Sequence, residues 1–358
     1  MDVFGYMEDY EFEQLAFFQD KGTGLKAIVA IHNTVLGPAL GGSRFWNYTH
    51  EDLAIEDALR LARGMTYKSA LAGLPLGGGK AVILGDAAQL RKDPVRREAF
   101  WRAFGRFIDG LSGRYITAED VGTSTQDMVF VNMETDHVVG LPGRSGDPSP
   151  YTARGVFKSI LGSLLHVYGS DSVAGKTVAV QGVGNVGYYL CKYLHDAGAK
   201  LIVSDISQER IDKVVAEFDA TVVAPDDIYG VECDVYAPCA LGAVVNDDTI
   251  DQFKCKIICG GANNVLKDAA IHAKALQERG IVYAVDYLAN AGGVINVSFE
   301  AKGAYNEEAA LREIDRIYWR MNEILNIAKE TGKLTYEVAD QMAEQRIEAI
   351  RSIKSILK

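Results

Sequence analysis

Lys176-Thr177-Val178-Ala179-Val180-Gln181-Gly182-Val183-Gly184-Asn185-Val186-Gly187 decides the fold of this 358-residue chain. Its first half is an apolar run of strand length. Its second half spaces three glycines as Gly-x-Gly-x-x-Gly, and a helix follows. In that pattern the first glycine makes a tight turn, the second lets the backbone approach a pyrophosphate, and the third lets helix pack on strand. Phosphates sit at the helix amino end, where unpaired amides and the dipole favour anions. Gly182, Val183, Gly184, Asn185, Val186 and Gly187 are therefore candidate cofactor contacts. A second strand, Leu201-Ile202-Val203-Ser204, ends in Asp205, about the twenty residues onward at which a carboxylate bonds the adenosine ribose 2′-hydroxyl and repels a 2′-phosphate. No basic residue follows until Arg210, which favours NAD over NADP.

Strand, turn and helix alternate from this stretch to about Val297, predicting a parallel sheet with helices on both faces. Two later loops, Tyr236-Ala237-Pro238-Cys239-Ala240 and Gly260-Gly261-Ala262-Asn263-Asn264, each follow an apolar strand. Such loops hold nucleotides in open parallel sheets, making Cys239, Ala240, Asn263 and Asn264 candidates. Asparagines beside glycine are as readily turn residues. Upstream, a helix is expected from about Thr152 to Tyr168. Before it, Pro142-Gly143-Arg144-Ser145-Gly146-Asp147-Pro148-Ser149-Pro150 contains three of the eight prolines. That density interrupts both helix and ladder and marks a domain boundary. The last fifty residues or so are helical, with one helix opening near Asn306, Gly332 closing it and Thr335 starting another. They either pack back on the first domain or form an interface.

Upstream of the boundary, Lys26–Ile31 reads as a strand. Thr49 with Asp52 resembles a cap for a helix running toward Lys68. Phe100, Phe104, Phe107, Ile108 and Leu111 mark a further amphipathic helix. Leu76-Gly77-Gly78-Gly79-Lys80 reads as a glycine turn feeding the short strand Ala81–Leu84. Three glycines let a backbone approach a ligand closely, and Lys80 at their exit projects into the same space. Were Lys68 to face it across roughly 6 Å, repulsion of about 3 kcal/mol would follow at an effective dielectric near 20. That is about two pKa units. One cation then holds a carboxylate while the other becomes a neutral amine able to take a proton. The alternative is a turn with two solvated lysines.

Apolar content of 48% and charged content of 24% are those of a soluble globular chain, and the length favours two domains. A net charge of −11 argues against nucleic acid as partner. The five cysteines form no Cys-x-x-Cys pair, so neither a metal site nor a disulfide framework is expected. An acidic start and no apolar run approaching ~18 residues point away from a leader and a membrane span, and toward the cytoplasm.

Six motifs in register now carry a resemblance covering essentially the whole chain. They are Gly37–Gly42, Gly64-Met65-Thr66-Tyr67-Lys68, Gly77–Lys80, Thr117-Ala118-Glu119-Asp120-Val121-Gly122, the nucleotide loop, and Asn290-Ala291-Gly292-Gly293-Val294-Ile295-Asn296-Val297. Together the chain resembles the amino-acid dehydrogenases of the glutamate, leucine, phenylalanine and valine superfamily, and looks most like the leucine-specific branch. The resemblance implies an α/β fold of two domains separated by a cleft. One is a substrate and oligomerisation domain of residues 1–145 with a helical segment at about 330–358. The other, residues 146–329, is a Rossmann-type NAD domain with a doubly wound parallel sheet. It also implies a homo-oligomer, commonly an octamer.

The implied reaction is reversible oxidative deamination: an L-amino acid, NAD⁺ and water give a 2-oxo acid, ammonia and NADH. Carried onto matching positions, Lys80 is the base toward water, Lys68 binds the substrate carboxylate, and Asp120 exchanges a proton with the amino group. Asn290 joins the cofactor contacts. Leu40, Gly41, Gly42, Ala118, Thr152, Val294 and Val297 line the substrate pocket. Glutamate-specific relatives carry lysine where this chain has Leu40, and a buried, unpartnered carboxylate costs several kcal/mol. Phenylalanine-specific relatives tend to carry glycine for Ala118 and leucine for Val294. A branched aliphatic substrate is therefore expected: leucine, with valine and isoleucine. Pro75, Tyr151 and the short segment containing Arg144 depart from the pattern, and Tyr151 beside Thr152 bears most on the pocket. Phenylalanine or valine specificity is the nearer alternative. A non-catalytic NAD(H) sensor is disfavoured by the joint presence of Lys68, Lys80 and Asp120. A 2-hydroxy-acid dehydrogenase needs a histidine acid/base, and none of the six histidines has a glycine-framed, strand-end setting.

Overall fold

The structure, a computed structural model, describes residues 2–303 and 305–356. Two compact units emerge. One comprises Met1–Asp147, Val297–Glu307 and Ala343–Lys358, and the other comprises Pro148–Asn296 and Glu308–Met342.

In the first unit β1 (Gln14–Asp20), β2 (Leu25–Asn33), β3 (Ala39–Trp46), β4 (Gly77–Leu84) and β5 (Tyr115–Glu119) form a sheet in the order β1-β2-β4-β3-β5. β1 and β4 run antiparallel to β2, whereas β3 lies parallel to both β4 and β5. Both sheet faces are covered, so Ala27–Ile31 of β2 is an unbroken apolar run. On one face the helix Glu51–Leu71 sets Ala54, Ala58, Leu59 and Ala62 against Ile28, Ala30 and Val82. On the other, the helix Pro94–Asp109 sets Phe100, Trp101, Phe104 and Ile108 against Val29, Ile31, Phe45, Ala81 and Ile83.

Two local expectations are corrected here. The triple glycine is no turn but the first part of β4. A Cβ on Gly78 would lie 2.1 Å from the Thr66 amide, so only glycine lets the helix Glu51–Leu71 sit this close. The cap of that helix is not supplied by Thr49: His50 holds the N-cap position without a side-chain bond.

The second unit carries six parallel strands, β6 (Thr177–Gln181), β7 (Lys200–Ser204), β8 (Thr221–Val222), β9 (Val235–Pro238), β10 (Ile257–Ile258) and β11 (Val282–Tyr283). Their order, β11-β10-β9-β6-β7-β8, winds outward from β6 and restarts at β9. The reversal between β6 and β9 is the doubly wound switch point, where such sheets bind ligands at their carboxyl edge. The helix Ser149–Tyr168 starts three residues before the expected Thr152. Its Pro150 falls in the first turn, where a missing N–H costs no hydrogen bond.

The tail divides between the units. Helices Glu307–Asp315 and Ile317–Thr331 precede Gly332, whose φ of 72° ends the second of them. The last helix, Thr335–Ile356, returns to the first unit. There Arg346 donates to the carbonyls of Ala70 (2.8 Å) and Leu74 (2.8 Å), and the Tyr67 hydroxyl donates to Glu344 (2.9 Å). The Arg346 bonds take up one carbonyl in the last turn of the helix Glu51–Leu71 and one just past its end.

Candidate active site

Strand alternation assembles the first cluster. Side chains two apart share a face, so Leu40, Gly42 and Arg44 of β3, Lys80 of β4, and Ala118 of β5 share the face covered by the helix Glu51–Leu71. Asp120 leaves the end of β5 on the same side. Gly42 lies on the strand between Lys80 and Asp120, and its missing side chain leaves the path between them open. Lys80 Nζ donates to Asp120 Oδ2 at 2.6 Å. Lys80 is buried and Asp120 half-buried. Lys68 is half-buried in the last turn of the covering helix.

Sequence alone pairs Lys80 with a second lysine. The structure gives it a carboxylate as hydrogen-bond acceptor, and gives that carboxylate a second cation. Arg44 Nε donates to the same Asp120 oxygen at 3.2 Å, while its Nη1 bonds Asp57 at 2.9 Å. Asp57 also accepts from the Tyr48 hydroxyl at 2.6 Å. Burial pushes the Asp120 carboxyl up, but Lys80 and then Arg44 outweigh it and hold Asp120 at about 2. Arg44 was missed from sequence, although its place two residues beyond Gly42 already fixes its face. Glu119 was missed too: burial, then Asp147, raises it to about 7. His32, buried and bonded to Thr66 (2.7 Å) and the Tyr10 carbonyl (2.9 Å), is pushed down by burial to about 4 and stays neutral.

Leu40 is 2% exposed and Ala118 8% exposed, forming apolar wall beside the charged pair. Gly41 packs its Cα against the backbone of Gly79 and accepts the Tyr115 hydroxyl at its carbonyl, 2.6 Å away. Thr152 belongs to the second unit, where its hydroxyl lies 2.7 Å from the position of a Cβ on Gly293. The helix Gly292–Ala301 carries Val294 and Val297, both buried.

The cofactor candidates gather at the carboxyl edge of the second sheet. Gly182 turns with φ 87° against Ala240, and Gly187 packs on the Gly182 carbonyl, so a side chain at either position would collide. A Cβ on Gly184 would meet only an Arg210 nitrogen, at 3.7 Å. No side chain caps the helix Asn185–Asp196. Val183 is buried and its amide donates to Asp205 Oδ2 at 2.8 Å, while Asp205 Oδ1 accepts from Ser207 N at 2.8 Å. Arg210, five residues on, is turned back to 4.0 Å from Asp205. Val186 and Cys239 meet beside Gly261. Asn290 donates to Asn263 Oδ1 at 2.8 Å, and among the described residues its buried Oδ1 has no hydrogen-bond partner. Asn264 adopts the left-handed backbone of a turn, φ 52°. An open glycine approach, uncapped helix amides, a carboxylate at the end of β7 and an orphaned amide oxygen fit a nicotinamide dinucleotide. No group of three or more metal-ligating side chains occurs among the described residues, and no described helix is long and apolar enough to cross a membrane.

Comparison with known proteins gives consistent matches. Residues 12–137 match the Glu/Leu/Phe/Val dehydrogenase dimerisation domain, and residues 143–208 and 203–353 match the Glutamate/Leucine/Phenylalanine/Valine dehydrogenase family. Leucine dehydrogenase of Geobacillus stearothermophilus is 57% identical over 99% of this chain and 96% of its own length. That of Thermoactinomyces intermedius is 56% identical over the same shares. The crystal structure of L-tryptophan dehydrogenase from Nostoc punctiforme superposes with a TM-score of 0.84 at 42% identity, covering 98% of this chain and 99% of that one.

Proposed function

Because the chain belongs to the Glu/Leu/Phe/Val dehydrogenase family, we propose that Lys80 and Asp120 are its reacting groups and that the second unit holds NAD. The enzyme carries out reversible oxidative deamination of branched-chain aliphatic L-amino acids, leucine with valine and isoleucine, to the 2-oxo acid and ammonia. The observation that carries the assignment of groups is the 2.6 Å bond between Lys80 and Asp120 beside the apolar Leu40.

Lys68 holds the substrate α-carboxylate as a point charge. Asp120, ionised beside Lys80 and Arg44, enters as counter-ion to the substrate amino group and exchanges a proton with it in each direction of the reaction. Lys80, once its own proton has passed along its bond to Asp120, takes the proton of the attacking water. Leu40 and Ala118 receive an aliphatic side chain, and a distal carboxylate would meet no partner at Leu40. NAD⁺, when bound, supplies the hydride acceptor. Gly182–Gly187 cradle its pyrophosphate, Asp205 takes the adenosine ribose, and Cys239, Ala240, Asn263, Asn264 and Asn290 attend the nicotinamide end. The enzyme works as a cytoplasmic homo-oligomer, an octamer by resemblance.

A substrate panel tests this reading. With NAD⁺ at alkaline pH, NADH absorbance is followed for leucine, isoleucine, valine, norleucine, phenylalanine and glutamate. Pocket fit of this kind is worth about 10–200-fold, so the branched residues should lead phenylalanine and glutamate by at least about tenfold in kcat/KM. Phenylalanine or glutamate ahead of leucine would overturn it.

A further inference from the structure

Away from every residue assigned above, two cysteines stand just ahead of adjacent strands. β9 and β10 run parallel with Val235 opposite Ile257 and Tyr236 opposite Ile258. Cys233 and Cys255 each precede the first of these pairs by two residues, and that register, carried two residues back, sets one opposite the other at the amino edge of the sheet. The chain is held there by the amides of Lys256 and Ile257, both 3.2 Å from the Asp234 carbonyl. Parallel neighbours lie about 4.8 Å apart, inside the roughly 4.4–6.8 Å between α-carbons that a disulfide accepts. Cys255 is part of one buried apolar cluster, and Cys233 packs against that same cluster. Both are reduced; Cys233 is half-buried, whereas Cys255 is buried. The other cysteines, Cys191, Cys239 and Cys259, stand in no such register pair.

We propose that Cys233 and Cys255 form an oxidisable dithiol, converted to an intrachain disulfide by a small two-electron oxidant of the peroxide class. One sulfur attacks hydrogen peroxide, breaking the O–O bond and becoming a sulfenic acid. The second sulfur displaces its oxygen, forming the S–S bond. The two thiol protons leave in water, so two thiols and one peroxide give one disulfide and two waters, and the peroxide takes both electrons. The bond closes a ring from Cys233 to Cys255 that includes β9 and the Cys239–Ala240 loop. Ring closure of this length restricts the unfolded chain, and the reaction leaves the carboxyl edge of the sheet uncovered.

The test uses the full-length protein treated with stoichiometric hydrogen peroxide, then alkylated and mapped by mass spectrometry. The expected result is a loss of about 2 Da per chain and a Cys233–Cys255 cross-linked peptide, reversed by dithiothreitol. The unfolding temperature should rise by about 5 °C on oxidation. Cys233→Ser should remove the cross-link and the rise while keeping the reduced enzyme's activity. Oxidation of other cysteines without this cross-link, or a temperature rise retained in Cys233→Ser, would overturn the proposal. The mapping on unaltered protein decides the matter even if the variant folds poorly.

Discussion

Replacing Gly42 by alanine adds a single carbon beside the Lys80–Asp120 pair, and its cost follows from the distances around it. A Cβ on Gly42 would lie 2.5 Å from the Glu119 carbonyl oxygen and 2.8 Å from Asp120 Cβ. Ordinary contact begins at about 3.4 Å, so the end of β5 has to retreat by about 0.9 Å. The tightest contact is with backbone, and no side-chain rotation relieves it. A retreat of that size opens the Lys80–Asp120 bond from 2.6 Å to about 3.5 Å, beyond hydrogen-bonding distance. Misplacement by about 1 Å costs a catalytic group about 100-fold, or about 2.7 kcal/mol of barrier. Gly42→Ala should therefore lower kcat about 100-fold while NADH binding, read by fluorescence titration, stays as it was, because the cofactor residues belong to the other unit. Circular dichroism checks that the variant is folded. A folded Gly42→Ala enzyme within about threefold of the parent kcat would refute the claim that this pair has to meet across a bare strand.

Lys80→Met should abolish turnover and leave NADH affinity intact; measurable deamination at the parent rate would remove Lys80 from the chemistry. Asp205→Ala strips the ribose contact but leaves Arg210 nearby, so KM for NAD⁺ should rise. The ratio of kcat/KM for NADP⁺ over NAD⁺ should rise by about tenfold, the worth of one charge-assisted hydrogen bond. An unmoved ratio would end the ribose role. Glu119, raised to about 7 from an ordinary 4.5, holds its proton in the folded state at pH values where the unfolded chain has released it. Stability therefore falls as pH rises from about 4.5 to 7. Glu119→Gln should unfold at a higher temperature than the parent at pH 8, with a smaller gap at pH 5. Equal gaps at both pH values would show that Glu119 does not titrate there.

What could be read from the chain followed its local chemistry. The glycine loop at Gly182–Gly187 was legible because strand, spacing and Asp205 each restrict one another within about thirty residues. The run Gly77–Gly79 was misread as a turn because nothing local reveals that Thr66 and Tyr115 press on it from opposite faces. The motifs around Lys80 and Asp120 were visible, but their bond depends on two parallel pairings through β3. Arg44 and Asp57 complete the charge network through side chains whose neighbours no periodicity discloses. Arg210 misled for the opposite reason: five residues separate it from Asp205 along the chain, and one helical turn brings it back. The early start of the helix at Ser149 came from reading two prolines as breakers when one sat where a helix tolerates it.

The guanidinium of Arg346 makes the end of the polypeptide a keystone for its beginning. Fastened to the carbonyls where the Lys68-bearing helix runs out, it lets a change near the carboxyl terminus reach Lys68, the proposed substrate anchor, without touching it. Shortening the chain ahead of Arg346 would loosen that anchor as surely as an alteration next to Lys68. An affinity handle is therefore better fused at the amino end.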